Sequence, residues 1–448
     1  MFLAGERVAH AGVALLLAFA LGVVGINLAG PEDKLAEQQE ASAPMVNPLA
    51  QLFHIDGMEP VAPGTWADAA QEPAELALPL GYMRVCGLGS VPAAPDEPGG
   101  LAEGLAGIAA DARAITHARL RKIFAAHPSE RVRAASLVLD LAVARTDAAA
   151  AARARQGPCD AADKACEARQ QAAAVAAADA VGAATIRRLS RMAMGTADPF
   201  VYSAALQACT QGNPGDTADH CGTLNLYRWV QLDNGNAAPW MALGSAAQAH
   251  GDTGALNDAM YHVATSNRVD SYWGTLPHVL MQALPPGESD LARTLLTVDA
   301  WNAQNVLALP VYKVVAQHCD EDQLHDANRR QVCDGIAHVL TERGRSTVDL
   351  DMGVALAQKV GWPAPRTEAL QAERDALASM APQLADAGGV SCASVQRFQE
   401  TAELMTQYGE LGSYRVLALK SGMTVDELVQ VVRPQPLAAE APGSPPAP

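Results

Sequence analysis

The chain has 448 residues, a formal net charge of −17 and a sequence pI near 5.0. A surface this acidic repels phosphate, which argues against nucleic acid as a partner. Hydrophobic residues make up 49% of the chain but aromatics only 4%, so alanine dominates the apolar fraction and the expectation is helix throughout, packed through small side chains.

Residues 11–30, AGVALLLAFALGVVGINLAG, carry no charge. That is about the length that crosses a bilayer as a helix. Arg7 and the terminal amine precede it, so the positive-inside rule leaves residues 1–10 as a cytoplasmic stub. The expected location is therefore the inner membrane, single-pass, with the bulk of the chain in the periplasm. A cleaved secretory signal, releasing the chain to the periplasm, is the alternative. Against it, Leu28 and Pro31 flank the candidate site after Gly30, and Pro44 follows the Ala-Ser-Ala at 41–43.

Residues 31–100 are rich in Pro, Gly and acids and read as a spacer. A short apolar island over 79–90, around Cys86, is expected to dock on the main domain. From 101 to 433 the pattern is helix after helix, with no run of strand alternation. Long helices are expected over 101–126, 129–155 and 163–193, and shorter ones follow. Thr424 and Glu427 have capping-box spacing. Asp349 and Asp351 lack the other ligands of a calcium loop and read as helix-capping residues. The Pro-rich stretch 434–448 reads as a disordered tail.

The shorter helices come in pairs of about 33–40 residues, the period of stacked helical hairpins. Over 232–266 the segment LDNGNAAPWMALGSAAQAHGDTGALNDAMYHVATS resembles a tetratricopeptide repeat. Trp240, Leu243 and Gly244 carry the resemblance, and Trp273 with Leu276 repeats the spacing. Gly244 would let the two helices approach, with Trp240, Leu243 and Ala247 on one face and Leu256, Met260 and Val263 as the facing stripe. The second-helix alanine, Ala255, stands one place early. Pro277 and Pro310 fall inside first helices, implying kinks or late helix starts. The expected fold is all-α, a right-handed superhelix of stacked hairpins, with an N-terminal transmembrane helix.

The eight cysteines suit an exported chain, and the absence of Cys-x-x-Cys argues against a thioredoxin-like or zinc-ribbon site. In the hairpin frame Cys209 ends one helix and Cys221 begins its partner, and Cys319 and Cys333 stand at the equivalent positions of a later hairpin. Cys159 and Cys166 flank a turn between long helices. These give three disulfides, Cys159–Cys166, Cys209–Cys221 and Cys319–Cys333, and elimination pairs Cys86 with Cys392. The run 318–338 also holds His318, His325 and His338, but its spacing matches no zinc finger, so no metal and no cofactor are expected.

No serine-hydrolase, zinc-protease or phosphate-loop motif is present. The resemblance implies a concave surface lined by first helices, on which Ser245 and Gln248 of one helix and His278 and Met281 of the next would contact a ligand. The expected function is a non-enzymatic interaction or assembly scaffold of the bacterial cell envelope, anchored in the membrane through residues 11–30 and binding a protein or peptide in the periplasm. An envelope enzyme on a helical scaffold, acting on cell-wall material, is one alternative. A structural spacer without a defined ligand is another.

Overall fold

The computed structural model describes residues 82–92, 100–159, 163–210, 220–304, 311–381 and 389–432. The expected span 11–30, most of the spacer, Pro310 and the tail 434–448 lie outside the described residues. Among the described residues no helix is long and apolar enough to cross a membrane.

The fold is all-α apart from one small sheet. Strands β1 (Tyr82–Val85) and β2 (Gly89–Pro92) form an antiparallel hairpin within the apolar island, and β3 (Gly389–Val390) pairs in parallel with β1. This hairpin was not expected. It is only four residues per strand, too short for alternation to stand out.

The first helices are α1 (Gly100–Ala125), α2 (Glu130–Gln156), α3 (Lys164–Asp179), α4 (Ala183–Gly195), α5 (Pro199–Thr210) and α6 (Leu226–Leu232). The expected third helix is thus broken in two. Gly182 sits between the halves with φ +93°, and a Cβ there would lie 2.2 Å from Leu141 Cδ1. Close approach to α2 and left-handed backbone together require glycine. Helices α2, α4 and α5 pack together around Leu137, Leu141, Ile186, Leu189 and Phe200.

Then come α7 (Ala237–Ala249), α8 (Thr253–Thr265), α9 (Thr275–Gln282), α10 (Asp290–Gln304), α11 (Tyr312–His318), α12 (Ala327–Glu342), α13 (Thr347–Val360) and α14 (Ala364–Ala378). Last are α15 (Cys392–Lys420) and α16 (Val425–Val432). Several consecutive helices pair as hairpins, α7 with α8, α9 with α10 and α12 with α13 among them, a stack compatible with the repeat pattern, whereas α11 and α12 make little contact with each other. Their order in space is not the chain order. The α7/α8 hairpin packs directly on α11 and α12, and α13 and α14 continue that stack. The α9/α10 hairpin leaves it, packing instead on α2 and on α15.

The repeat-like unit is built much as its sequence suggests. A Cβ on Gly244 would lie 2.6 Å from Met260 Cε, so glycine sets the α7–α8 approach. Met260 and Val263 are fully buried. Trp240 is not a core residue, however. Met241 fills the interior, while the Trp240 indole stacks on His262 at 3.9 Å and donates to Asn234 O. Pro277 is the third residue of α9, where the missing N–H has no intrahelical partner to lose. The capping box at α16 forms, with Glu427 Oε2 accepting from Thr424 N (2.8 Å) and Thr424 Oγ1 from Glu427 N (3.3 Å).

The eight cysteines form four disulfides, Cys86–Cys392, Cys159–Cys166, Cys209–Cys221 and Cys319–Cys333. Three of them join positions 7, 12 and 14 apart in sequence, whereas the fourth joins positions 306 apart. Cys333 lies inside α12 rather than at its start, because that helix already begins at Ala327. The double variant Cys209→Ser/Cys221→Ser is expected to keep its helix content by far-UV circular dichroism. Its unfolding free energy in urea should fall by about 2–3 kcal/mol, the loop-closure contribution of a staple this short.

Candidate functional site

The densest polar arrangement lies where four chain crossovers run side by side. Residues 233–237 lead into α7, 267–272 towards α9, 343–347 into α13, and 409–411 join the two halves of α15. Backbone hydrogen bonds lace them together. Asn267 N–H donates to Gly235 O (3.0 Å), Ala237 N–H to Arg268 O (3.0 Å), Val269 N–H to Arg343 O (3.2 Å) and Leu411 N–H to Arg345 O (3.0 Å). Pairing at Asn236–Arg268 and Val269–Gly344 is parallel, like isolated rungs of a sheet.

Asn236, 0% exposed, holds the first two crossovers together. Its Nδ2 donates to Asp233 Oδ2 and to Asp270 O, each at 2.8 Å. Its Oδ1 accepts from Ala238 N (3.2 Å), capping α7, and from Asp270 N (2.9 Å). All four of its hydrogen-bonding positions are therefore used. Asp233 also accepts from Arg268 and from the Tyr272 hydroxyl. Burial, reinforced by the Asp233 charge, pushes the Tyr272 phenol far above its ordinary pKa. Tyr272 has φ +58°, a left-handed backbone rare for a bulky residue. Its amide donates to Asp270 Oδ1 (2.8 Å) and its ring packs edge-on against Phe200, two contacts that hold the strained conformation.

Arg345 carries the connection onwards. Nη1 donates to Asp270 Oδ2 at 2.6 Å, and Nη2 to Met405 O (3.3 Å) and Thr406 O (3.1 Å). Those carbonyls are orphaned because α15 breaks at Gly409, where φ is +76°. A Cβ at Gly409 would lie 2.5 Å from Arg345 Cβ, so glycine is required by both backbone and packing.

Two buried carboxylates meet the first turn of α13. Asp349, 2% exposed, accepts from Arg345 N (2.9 Å), Ser346 N (2.8 Å) and the Tyr312 hydroxyl (2.5 Å). Ser346 Oγ in turn accepts from Asp349 N (3.1 Å), completing a capping box. Glu410, 4% exposed, accepts from Thr347 N (2.8 Å), Thr347 Oγ1 (3.1 Å) and the Tyr414 hydroxyl (3.3 Å). Burial raises both carboxyl pKa values, and the Asp349 charge raises that of Glu410 further. The seam combines acids, arginines and phenols, yet these side chains are committed to one another. Its chemistry is that of a brace between the N-terminal helices, the hairpin stack and α15.

A second polar centre joins α1 to α10. His117 Nε2 lies 2.8 Å from Asp299 Oδ2, and Arg113 contacts the same carboxylate through Nε (3.0 Å) and Nη2 (2.8 Å). Beside it is a cavity of ≈ 10 Å³ lined by His117, Ser136, Asp140 and Arg121 with apolar neighbours. That is room for about one water. Burial raises the Asp140 pKa, and the hydrogen bond from Arg121 (2.9 Å) opposes the rise.

The residues expected to line a groove are dispersed. Ser245 and Gln248 are half-buried on α7, whose principal neighbours are α6, α8 and α11. His278 and Met281 are on α9, whose principal neighbours are α2, α10 and α15. His278 is half-buried near Glu403, with its pKa lowered by desolvation. Met281 packs against the core around Leu137, Leu141 and Phe200 and accepts a hydrogen bond on sulfur from Thr297 Oγ1 (3.5 Å). Helices α7 and α9 are thus not successive layers of one surface, because the α9/α10 hairpin leaves the stack.

The histidines of 318–338 are likewise separated. Cys319 and Cys333 are bonded to each other, and His318 is buried with its pKa lowered to about 4 by desolvation. His338 pairs with Glu342 at 2.8 Å and rests against Trp362. The seam residues Asp233, Asn236, Arg268, Asp270, Arg345 and Glu410 were not anticipated. For all but Glu410 the signal was a polar turn, DNGN, NRVD or RGRS, shortly ahead of a helix.

No protein-family model, no curated protein and no solved structure matches the chain.

Proposed function

We propose that the chain is a non-enzymatic interaction or assembly scaffold of the bacterial cell envelope, held to the inner membrane by residues 11–30 and engaging a protein or peptide partner in the periplasm. The observation that carries this reading is the stack of helical hairpins whose crossovers are bolted together by the charged seam. A body braced this way loses little conformational freedom on binding, so contact energy is not spent on ordering the scaffold. Tyr227, Tyr261 and Tyr408 are exposed, and Arg366 lies 3.7 Å over the Trp362 ring. Aromatic and arginine side chains of this kind anchor protein interfaces. The test is affinity purification of the full chain from crosslinked membranes. A discrete partner, lost on simultaneous substitution of the three tyrosines by serine, is the expected result. Recovering no partner from crosslinked cells would sink the reading.

One observation favours a second reading, an enzyme acting on cell-wall material. Asp140 has a raised pKa and shares its cavity with His117 and Ser136, a combination found where acids are tuned for catalysis. Against it stands the size of the cavity. Wild-type chain that releases soluble fragments from purified cell wall, and an Asp140→Asn variant that does not, would favour this reading over the scaffold.

A further inference from the structure

The geometry points to a redox-gated site for a thiophilic divalent cation of the zinc class, formed by Cys86, Cys392 and Asp290. The two Sγ atoms and a carboxylate oxygen of Asp290 all lie within 4.8 Å of one another. Donors bound tetrahedrally to zinc at ordinary bond lengths stand roughly 3.4–3.8 Å apart, so small side-chain adjustments convert this group into a ligand set. Among the described residues it is the only group of three such donors this close.

The surroundings keep the donors together once the sulfurs part. Cys86 N donates to Val390 O (2.9 Å), β1 pairs with β3 at Val85–Val390, and Thr294 Oγ1 donates to Cys86 O (3.3 Å). The hairpin turn is pressed so closely on α10 that a Cβ at Gly87 would lie 2.1 Å from Leu291 N. These ties link the turn to both helices independently of sulfur.

The charge also balances. Asp290 is the first residue of α10 and Cys392 the first of α15. Two thiolates and a carboxylate around a divalent cation carry a net charge of −1, and two helix N-termini favour a negative charge. Asp290 is exposed while Cys86 is buried, which gives the cation an entry side and the site a closed side. Three protein ligands leave the fourth position to water.

In the oxidised chain the disulfide occupies both sulfurs and the site does not exist. A dithiol reductant opens it: the reductant gives two electrons and becomes a disulfide, and Cys86 and Cys392 become thiols. The incoming cation then displaces the two thiol protons to solvent.

The test uses the full chain, reduced anaerobically with a phosphine that is then removed, and Co²⁺ as the probe. The expected result is one equivalent of Co²⁺ with a thiolate-to-metal charge-transfer absorption. That absorption should vanish in Cys86→Ser/Cys392→Ser, and Asp290→Asn should bind Co²⁺ ~10-fold or more weakly, as loss of a ligand does at least as much damage as loss of its support. Zn²⁺ should protect Cys86 and Cys392, and not the other six cysteines, from alkylation mapped by mass spectrometry. The proposal is overturned by an unchanged absorption in the double serine variant, by wild-type affinity in Asp290→Asn, by no absorption at all, or by loss of helical structure when the bond is opened.

Discussion

Replacing Arg345 by alanine is expected to lower the unfolding free energy by about 2–4 kcal/mol, read from urea denaturation followed by circular dichroism. The side chain is 23% exposed and its partner Asp270 17%, so the upper end of the range for a buried pair is discounted. Three losses combine. Asp270 keeps its charge without its guanidinium. Met405 O and Thr406 O, at the end of the first half of α15, lose their donors. The space between the crossover 343–347 and Gly409 is left without the side chain that fills it.

Arg345→Lys separates the causes. A lysine restores the charge opposite Asp270, but a single ammonium cannot reproduce the guanidinium fork that reaches the carboxylate and two carbonyls at once. Partial recovery is therefore expected, to roughly half of the alanine loss. Full recovery by lysine would mean that charge alone matters and that the carbonyl contacts add nothing. An alanine variant as stable as wild type would show that the seam is not a brace.

The seam also shows which parts of this fold were legible in the sequence. Local features were. Helices, the capping box at Thr424, the capping role of Asp349 and the close approach at Gly244 depend on residues within a few positions of one another. Three of the cysteine pairs followed from short loops between helices, and the fourth, Cys86–Cys392, from elimination alone. Non-local features were not legible. Nothing in residues 275–304 announces that α9 and α10 leave the stack for α2 and α15, because their apolar faces would suit either neighbour. Trp240 matched a repeat pattern, yet Met241 took the interior, since a one-position rotation of the helix exchanges the two. Asp270 and Arg345 are 75 residues apart, and a polar turn in sequence gives no hint of which other turn it will meet. The candidate groove was placed by register alone, and it rests on a layer order that only the packing decides.

The two buried carboxylates give the second large effect, and it depends on pH. Asp349 and Glu410 have folded-state pKa values above their unfolded ones, because burial penalises the charged form. Below the unfolded values, near 4, both states are protonated and neither group affects stability. As pH rises through the window between the unfolded and the folded values, the folded state holds more protons than the unfolded one, so stability falls with rising pH. Above the folded values the destabilisation is complete. Buried His318, lowered to about 4, acts the opposite way: from about 6.5 down to about 4 the unfolded chain takes up a proton that the folded chain refuses, so stability falls on acidification. A single pH profile of the wild-type chain therefore mixes opposed contributions. Comparison with Glu410→Gln removes the mixture, because His318 is common to both chains. The glutamine oxygen still accepts from Thr347 N and Oγ1, and no charge is buried. Relative to wild type, the variant is expected to gain stability steadily as pH rises from about 4 towards the raised folded-state value, measured as the difference between urea midpoints at each pH. A difference independent of pH would mean that Glu410 titrates normally despite its burial. A wild-type advantage growing with pH would mean that the carboxylate is stabilised as an anion by the first turn of α13, and that burial is the weaker influence at this site.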